Sequence, residues 1–262
     1  MPDLKDVGWV WEGQGIDPGV APSLFGVGEG ARFFGLRKAC FMFHPNTDLA
    51  MDKLSWMDEV VCDISKWKFR WPETGGVAHW VDSAPESVES EAANVASLSQ
   101  RHPQVTGALH DDMRGLLQRK GWTGTKATQY QPIYEALHAH NPHLKLWAVV
   151  YSHELDDQWT PLLPYLDVIN LWVWRSSDLS LLNPSVERAK SLFKNKPIVL
   201  GCYLRDYGEG CPVPMDLLEY QWEKVAEYVE RQWIAGYAIL GTVLIEGQLE
   251  QATWVRDFIS RA

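Results

Sequence analysis

The chain has 262 residues, 46% of them hydrophobic and 22% charged, a balance that suits a globular protein with a sizeable core rather than a disordered or fibrous one. A net charge of −10 without any basic stripe argues against a nucleic-acid partner. No apolar run approaches the ~20 residues that cross a bilayer, and no stretch resembles a secretory signal, so we expect a soluble protein without membrane partners, cytoplasmic or exported with its signal removed.

Apolar, β-rich runs alternate along the chain with helical patterns. The first strand is expected over Val7–Trp11, closing in Glu12-Gly13-Gln14-Gly15. A loop with Pro18, Gly19 and Pro22 leads to a short helix from about Ser23 to Gly35. Its Gly26-Val27-Gly28-Glu29-Gly30 run is glycine-rich, but the spacing fits neither nucleotide fingerprint and Glu29 would face the phosphate, so we assign the chain no cofactor. The second strand, Ala39–Phe43, ends before His44-Pro45-Asn46. An amphipathic piece from Asp48 to Trp56 precedes the third strand, Val60–Ser65, which runs into Lys66-Trp67 and a long loop with Trp71, Gly75, Gly76, His79 and Trp80.

A helix over Glu86–Arg101 places acids early and arginine late, as the helix dipole prefers. The fourth strand, Val105–His110, stops at two adjacent carboxylates, Asp111 and Asp112, with a helical pattern beyond. Thr125–His140 reads as a helix halted by Asn141-Pro142. The fifth strand, Leu144–Tyr151, ends in Ser152-His153-Glu154, and its connection holds Pro161 and Pro164. The sixth is Val168–Trp174, ending at Arg175; a helix introduced by Asn183-Pro184 runs through Phe193. The seventh, Ile198–Tyr203, is followed by Arg205, Asp206 and Tyr207. Met215–Trp233 is the clearest helix, the eighth strand spans Tyr237–Ile245 before Glu246, and Leu249–Ser260 closes the chain. Cys40, Cys62 and Cys202 fall in strands and read as reduced core residues, while Cys211 sits in a loop.

Eight strands separated mostly by helices, with no composition shift between halves, predict a single α/β domain over residues 1–262, a (β/α)8 TIM barrel with parallel strands. An open doubly wound sheet is the alternative. In such a barrel the functional face lies at the carboxyl ends of the strands. Those ends carry Glu12, His44, Asp63 with Lys66, His110-Asp111-Asp112, His153-Glu154, Trp172 with Trp174, Tyr203 with Arg205 and Asp206, and Glu246. The opposite ends are plain: Ala39, Val60, Val105, Val168 and Tyr237.

Neighbouring carboxylates raise each other's pKa, so one of Asp111 and Asp112 can keep its proton near neutrality. The same dipeptide also suits a solvated helix start. Side-chain alternation puts Asn170, Trp172 and Trp174 on one inward face, although Trp172 reads equally well as interior filling. It also makes Asp112, which shares a face with His110, the inward carboxylate. The 14 tryptophans are several-fold above ordinary usage, and indole offers a flat apolar face with an N–H donor for stacking sugar rings.

Carboxylates, aromatics and hydrogen-bonding groups on one rim are what glycosidic cleavage requires: one acid protonates the leaving oxygen while a second carboxylate attacks the sugar or activates water. The candidate catalytic groups are Asp112 or Asp111, with Glu154, Glu12 or Glu246 as partner. The candidate binding groups are Trp11, His44, Asp63, Lys66, His110, Tyr151, Asn170, Trp172, Trp174, Tyr203 and Arg205, and the expected partner is an oligosaccharide or glycoside. Each carboxylate has a plainer reading: Glu154 belongs to a solvated acidic loop, Glu246 caps the last helix, and Asp63 pairs with Lys66 or Arg205.

With this pattern the chain resembles the glycoside-hydrolase-like (β/α)8 barrels, particularly those whose fourth strand ends in Gly-x-x-x-Asp-Asp, here Gly107 to Asp112. The resemblance implies a catalytic carboxylate on the fourth strand and nothing for the other positions. The chain lacks the Asp-x-x-Asp-x-Asp-x-Glu run of chitinase-like barrels and the Asn-Glu pair of the large retaining clan.

Three other readings stay open. His44, His110 and His153 with Asp63 and Asp112 could form a metal-dependent hydrolase or lyase site, although no His-x-His or HExxH spacing supports it. Lys66 could form a Schiff base if its pKa were depressed. A catalytically silent carbohydrate-binding barrel would use the same aromatics. Nothing in the sequence forces an oligomer.

Overall fold

A computed structural model of the chain describes residues 3–12, 23–65, 67–70, 78–81, 84–119, 121 and 128–262. In chain order the elements are α1 (Leu4–Val7), β1 (Gly8–Trp11), α2 (Val27–Phe34), β2 (Lys38–Phe41), α3 (Asp48–Lys53), β3 (Glu59–Asp63), β4 (Trp67–Arg70), β5 (Ala78–Val81), α4 (Pro85–Ser99), β6 (Val105–His110), α5 (Met113–Arg119) and α6 (Gln131–His138). There follow β7 (Lys145–Tyr151), β8 (Val168–Trp172), α7 (Leu182–Leu192), β9 (Ile198–Tyr203), β10 (Arg205–Asp206), β11 (Cys211–Pro212), α8 (Met215–Glu230), β12 (Gly236–Leu240) and α9 (Leu249–Arg261).

Eight of the strands close into a barrel in the order β1-β12-β9-β8-β7-β6-β3-β2, so the (β/α)8 expectation holds and the open sheet does not. Parallel registers run through Val10 with Ile239, Ile239 with Cys202, Cys62 with Ala108, and Leu109 with Trp147. The strands are apolar on both faces, as parallel strands wrapped by helices must be: β1 and β8 are buried at every position.

The chain falls into two compact units, described in turn. The first comprises Met1–Ala39, Val150–Asp156 and Ile169–Ala262. Its core is Val10, Leu200, Ala238, Leu218 and Trp222, all at or near zero exposure. Trp222 meets Tyr237 edge-on at 4.9 Å, and the Tyr237 hydroxyl donates to the Leu4 carbonyl. A β-carbon at Gly8 would lie 2.4 Å from that hydroxyl, so only glycine lets Tyr237 pass. The second unit comprises Cys40–Val149 and Asp157–Val168. Cys40, Val61, Cys62, Ala108, Leu146 and Ala148 form its core, and α4 packs on α6.

Several element ends differ from expectation for identifiable reasons. Phe43 has φ +65°, which ends β2 at Phe41 and leaves His44 three residues past the strand. β8 stops at Trp172 rather than Trp174. β12 stops at Leu240, and a 3-10 turn over Thr242–Leu244 replaces its expected continuation to Ile245. Pro132 stands in the first turn of α6 instead of interrupting a longer helix, because a missing N–H costs nothing there. Pro161 and Pro164 hold the connection after β7 as a 3-10 segment, Asp157–Tyr165. An antiparallel pair, β4 with β5, lies within the long loop after β3.

Cys40, Cys62 and Cys202 are buried free thiols, as expected, and burial pushes the first and last far above the usual thiol range. Cys211 is exposed. Among the described residues no helix is long and apolar enough to cross a membrane.

Candidate functional site

In the first unit the carboxyl ends of the strands are joined by rings. Trp11, the last residue of β1, meets Trp172 edge-on at 5.2 Å, and Trp172 lies 4.7 Å from Tyr203 at the end of β9. Trp174 continues outward, 5.6 Å from Tyr151 and 5.5 Å from Tyr207. His153 stacks on Tyr151 at 5.6 Å. The run is graded in depth: Trp11 and Trp172 are buried, whereas Trp174 is 37% exposed.

The buried end of this run is fixed by polar contacts and close packing. The Trp172 indole N–H donates to Asn170 Oδ1 at 2.7 Å, while Asn170 Nδ2 donates to the Val199 carbonyl at 3.0 Å. The shared face of Asn170 and Trp172 is therefore real, but Asn170 is fully buried and spends its amide on holding the indole. Trp172 lies against Gly201, where a β-carbon would approach the indole to 2.0 Å.

The carboxylates of this unit have separate fates. Glu12 is only 6% exposed, next to Trp11. Glu154 is half-buried on the 3-10 turn Ser152–Glu154 that follows Tyr151. Asp206 is buried and accepts from Ser176 N and Oγ, Gly208 N and Glu209 N. Burial alone would raise its pKa, but these four donors outweigh it and hold the carboxyl below its ordinary value. Glu246 is exposed beyond the shortened β12 and accepts from Ser23 Oγ at 2.6 Å and Leu24 N at 2.9 Å. Those two bonds lower its pKa and tie it to the segment before α2, rather than to the last helix. Arg205 is half-buried on β10.

In the second unit the strand ends are polar and buried. Asp63, the last residue of β3, has no exposure; its Oδ1 accepts from Ser65 N at 2.6 Å and its carbonyl from Asn46 Nδ2 at 2.8 Å. Asn46 also donates to Glu91 on α4, at 2.6 Å. His110, buried at the end of β6, shares a 2.9 Å hydrogen bond between Nδ1 and the Tyr130 hydroxyl. Tyr130 is fully buried, which pushes its phenol well above the ordinary range, so it stays protonated. Asp111 and Asp112 occupy the turn between β6 and α5, both half-buried. Asp112 has φ +47°, and its carbonyl accepts from Leu116 N. Strand alternation therefore does not extend to this pair and does not assign an inward member. His44 is exposed and stacks loosely on Phe41 at 6.1 Å.

The first unit thus brings together Trp11, Tyr151, Trp172, Trp174 and Tyr203, and adds Tyr207, which the sequence placed after the seventh strand without making it a binding candidate. Tyr130 was also missed: it lies 20 residues from His110 in a segment without a strand-end signal. Lys66 lies outside the described residues, as do Gly13, Gln14 and Thr125. Among the described residues, no three His, Cys, Asp or Glu side chains come together in an arrangement suited to a metal ion, so the alternative histidine-based site is not formed among them.

No protein-family model matches the chain, and no curated protein matches it significantly. Solved structures share its fold. A β-D-glucuronidase from Dictyoglomus thermophilum aligns over 89% of the chain at 10% identity and a TM-score of 0.57, and the chain spans 46% of that protein's length. A family GH18 chitinase from Cycas revoluta, in complex with allosamidin, aligns over 96% of this chain and 99% of its own at 10% identity, with a TM-score of 0.51. A xylanase-α-amylase inhibitor protein in complex with trehalose aligns over 97% and 98% at 10% identity, with a TM-score of 0.57. At this identity the likeness establishes the fold: a closed (β/α)8 barrel of the kind found in glycoside hydrolases.

Proposed function

We propose that the chain is a carbohydrate-active barrel that hydrolyses a glycosidic bond with two carboxylates, Asp112 (with Asp111 as its alternate) being one of them. The observation that carries the carbohydrate reading is the run of rings at the ends of β7, β8 and β9. Tyr151, Trp174 and Tyr207 form an aromatic surface, with Trp174 over a third exposed, above buried Trp172 and Tyr203. Pyranose rings present apolar C–H faces that stack on such surfaces, and their hydroxyls need nearby hydrogen-bonding groups. Two of the fold's solved relatives are a glucuronidase and a chitinase by name, which supports the class.

For the second carboxylate, Glu154 ranks first because its turn begins right after Tyr151 in the ring run. Glu12 follows, buried beside Trp11. Glu246 drops out of the ranking, since its carboxylate is already bound to Ser23 and Leu24. In the proposed reaction one carboxyl gives its proton to the leaving oxygen while the other attacks the anomeric carbon or takes a proton from water.

The test is turnover of a panel of oligosaccharides and aryl glycosides by the wild type, Asp112→Asn, Asp111→Asn, Glu154→Gln and Glu12→Gln. Loss of a catalytic acid or base should lower turnover by about a hundredfold or more, with unchanged thermal stability. Wild-type rates from both aspartate variants would remove the fourth-strand assignment. A second reading, a non-catalytic sugar binder, is favoured by the inhibitor protein among the solved relatives. Saturable oligosaccharide binding with no turnover on any substrate would select it.

A further inference from the structure

At the amino-terminal ends of β9 and β12, on the opposite strand ends from the rings, the first unit contains a cavity of about 730 Å³. Its wall carries Lys190, Lys194 and Lys196 together with Pro197, Trp233 and Ile234, and no carboxylate is among the described residues that line it. In a chain of net charge −10 this is a local reversal of sign. Among the described residues, none of the three lysines forms an ion pair. The nearby acid Glu227 is instead taken by Lys224 at 2.7 Å and Arg231 at 3.1 Å.

A plainer cause for lysines here must be weighed. The segments lining the cavity follow the carboxyl ends of α7 and α8, and helix ends carry roughly half a negative charge each, which attracts cations. Two such ends offset about one lysine. Three lysines in the wall, Lys190 and Lys194 exposed and Lys196 half-buried, therefore exceed what the two helix ends offset.

The wall is also held in place. Two residues past the end of α8, Gln232 has φ +56°, and Trp233 N donates to the Tyr228 carbonyl at 2.8 Å, which fixes the backbone that carries the indole. Tyr228 stacks on Trp233 at 5.6 Å and an interplanar angle of 15°. Lys190 Nζ stands 4.5 Å from the ring centroid, a cation–π contact that orders one of the three ammonium groups. The indole is thereby committed to protein groups, so it positions charge rather than stacking a ligand.

We propose that this cavity binds a small organic oxyanion, a phosphate ester or a polycarboxylate. The anionic head would lie among Lys190, Lys194 and Lys196, and the carbon body against Pro197 and Ile234. The volume lies within the ~300–1,000 Å³ usual for small-molecule sites and exceeds what an inorganic ion fills.

The experiment is calorimetric titration of the purified chain with glucose 6-phosphate, citrate and inorganic pyrophosphate, with glucose as the uncharged control. Saturable one-to-one binding of glucose 6-phosphate or citrate is expected, weakening with added salt, with no heat from glucose. The tighter of the two identifies the head as phosphoryl or carboxylate. Lys194→Glu combined with Lys196→Glu should weaken binding at least tenfold. The equally charged pair Lys53→Glu with Lys145→Glu, on exposed positions of the second unit, should leave it within about twofold. The absence of saturation with either organic anion, binding of pyrophosphate alone, or equal losses in the two paired variants would overturn the site.

Discussion

The strand ends of the two units handle polarity in different ways. In the first, rings carry the surface, and the carboxylates at Asp206 and Glu246 are saturated by backbone and hydroxyl donors. In the second, ionisable groups themselves close the strands, with Asp63 fully buried and His110 bonded to a buried tyrosine. A ring tolerates partial exposure and exchange of neighbours, because dispersion and apolar contact do not demand one partner. A buried carboxylate or imidazole tolerates neither, since losing its partner leaves a desolvated polar group that costs about 1–3 kcal/mol or more. The first unit's rim is thus suited to receiving a ligand, whereas the second's is suited to holding the Asp111-Asp112 turn in place.

The largest effect should come from Asp206, which the first unit buries with four donors. Asp206→Ala removes the acceptor of four hydrogen bonds and should cost about 3 kcal/mol by urea denaturation. The pH dependence has a definite sign. Because the folded-state pKa lies below the unfolded value, Asp206 contributes stability above about pH 4 that is lost as pH falls through the folded pKa. The stability difference between wild type and Asp206→Asn should therefore shrink on acidification below pH 4. A difference that grows there would mean that the four donors do not favour the charged form.

Next in size are two glycines, one in each unit. A β-carbon at Gly107 would stand 2.4 Å from the Lys145 carbonyl oxygen, which is barrel backbone and cannot turn aside. At Gly201 it would meet the Trp172 ring at 2.0 Å, and a side chain can shift. Gly107→Ala is expected to cost about 2 kcal/mol and Gly201→Ala about 1 kcal/mol, both by denaturant midpoint. If the ring run is a sugar platform, Gly201→Ala should also weaken sugar binding, because the moved indole packs against Tyr203. Equal costs would mean that the tryptophan is as rigid as the strand.

Most of the barrel was legible from sequence because buried parallel strands are continuous apolar runs, and all eight were found within a few residues. β6 and β9 were placed to the residue. The misses sit where backbone geometry overrides the apolar pattern. Val243, Leu244 and Ile245 continue an apolar run that leaves the strand after Leu240, and Phe43 takes a left-handed φ that no propensity announces. The ring run was legible in part, since Trp172, Trp174 and Tyr203 stand at strand ends. The partners that decide each polar group were not: Tyr130 for His110, Ser176 for Asp206 and Ser23 for Glu246 are set by tertiary packing at separations of 20 to 223 residues.

A smaller effect separates a positioning hydrogen bond from packing. Tyr130→Phe keeps the buried ring and deletes only the hydroxyl that meets His110, and should cost about 1 kcal/mol. In a double-mutant cycle with His110→Phe, coupling of about that size locates the loss in the pair. If the imidazole orients the adjacent Asp111-Asp112 turn, Tyr130→Phe should also lower turnover without raising KM. A variant that loses stability but retains full turnover would confine the pair to the core.

The smallest stability effect should coincide with a large functional one. Trp174 touches Tyr151, Tyr203 and Tyr207 at ring-centroid distances of 5.5–6.2 Å, yet over a third of it is exposed, so truncation leaves no sealed cavity. Trp174→Ala should shift stability by less than about 1 kcal/mol, because water fills the space and the three tyrosines keep their other contacts. If the ring is a sugar platform, the same change should weaken oligosaccharide binding by about tenfold, the scale of ~1.4 kcal/mol. Trp174→Phe, which keeps a flat apolar face, should recover part of it. Trp172→Phe is the control: a deeply buried ring whose loss should act first on stability. Were Trp174→Ala to destabilise the fold as much as Trp172→Phe while leaving binding intact, the outer rings would be core that happens to reach the surface, and the aromatic basis for a carbohydrate ligand would be gone.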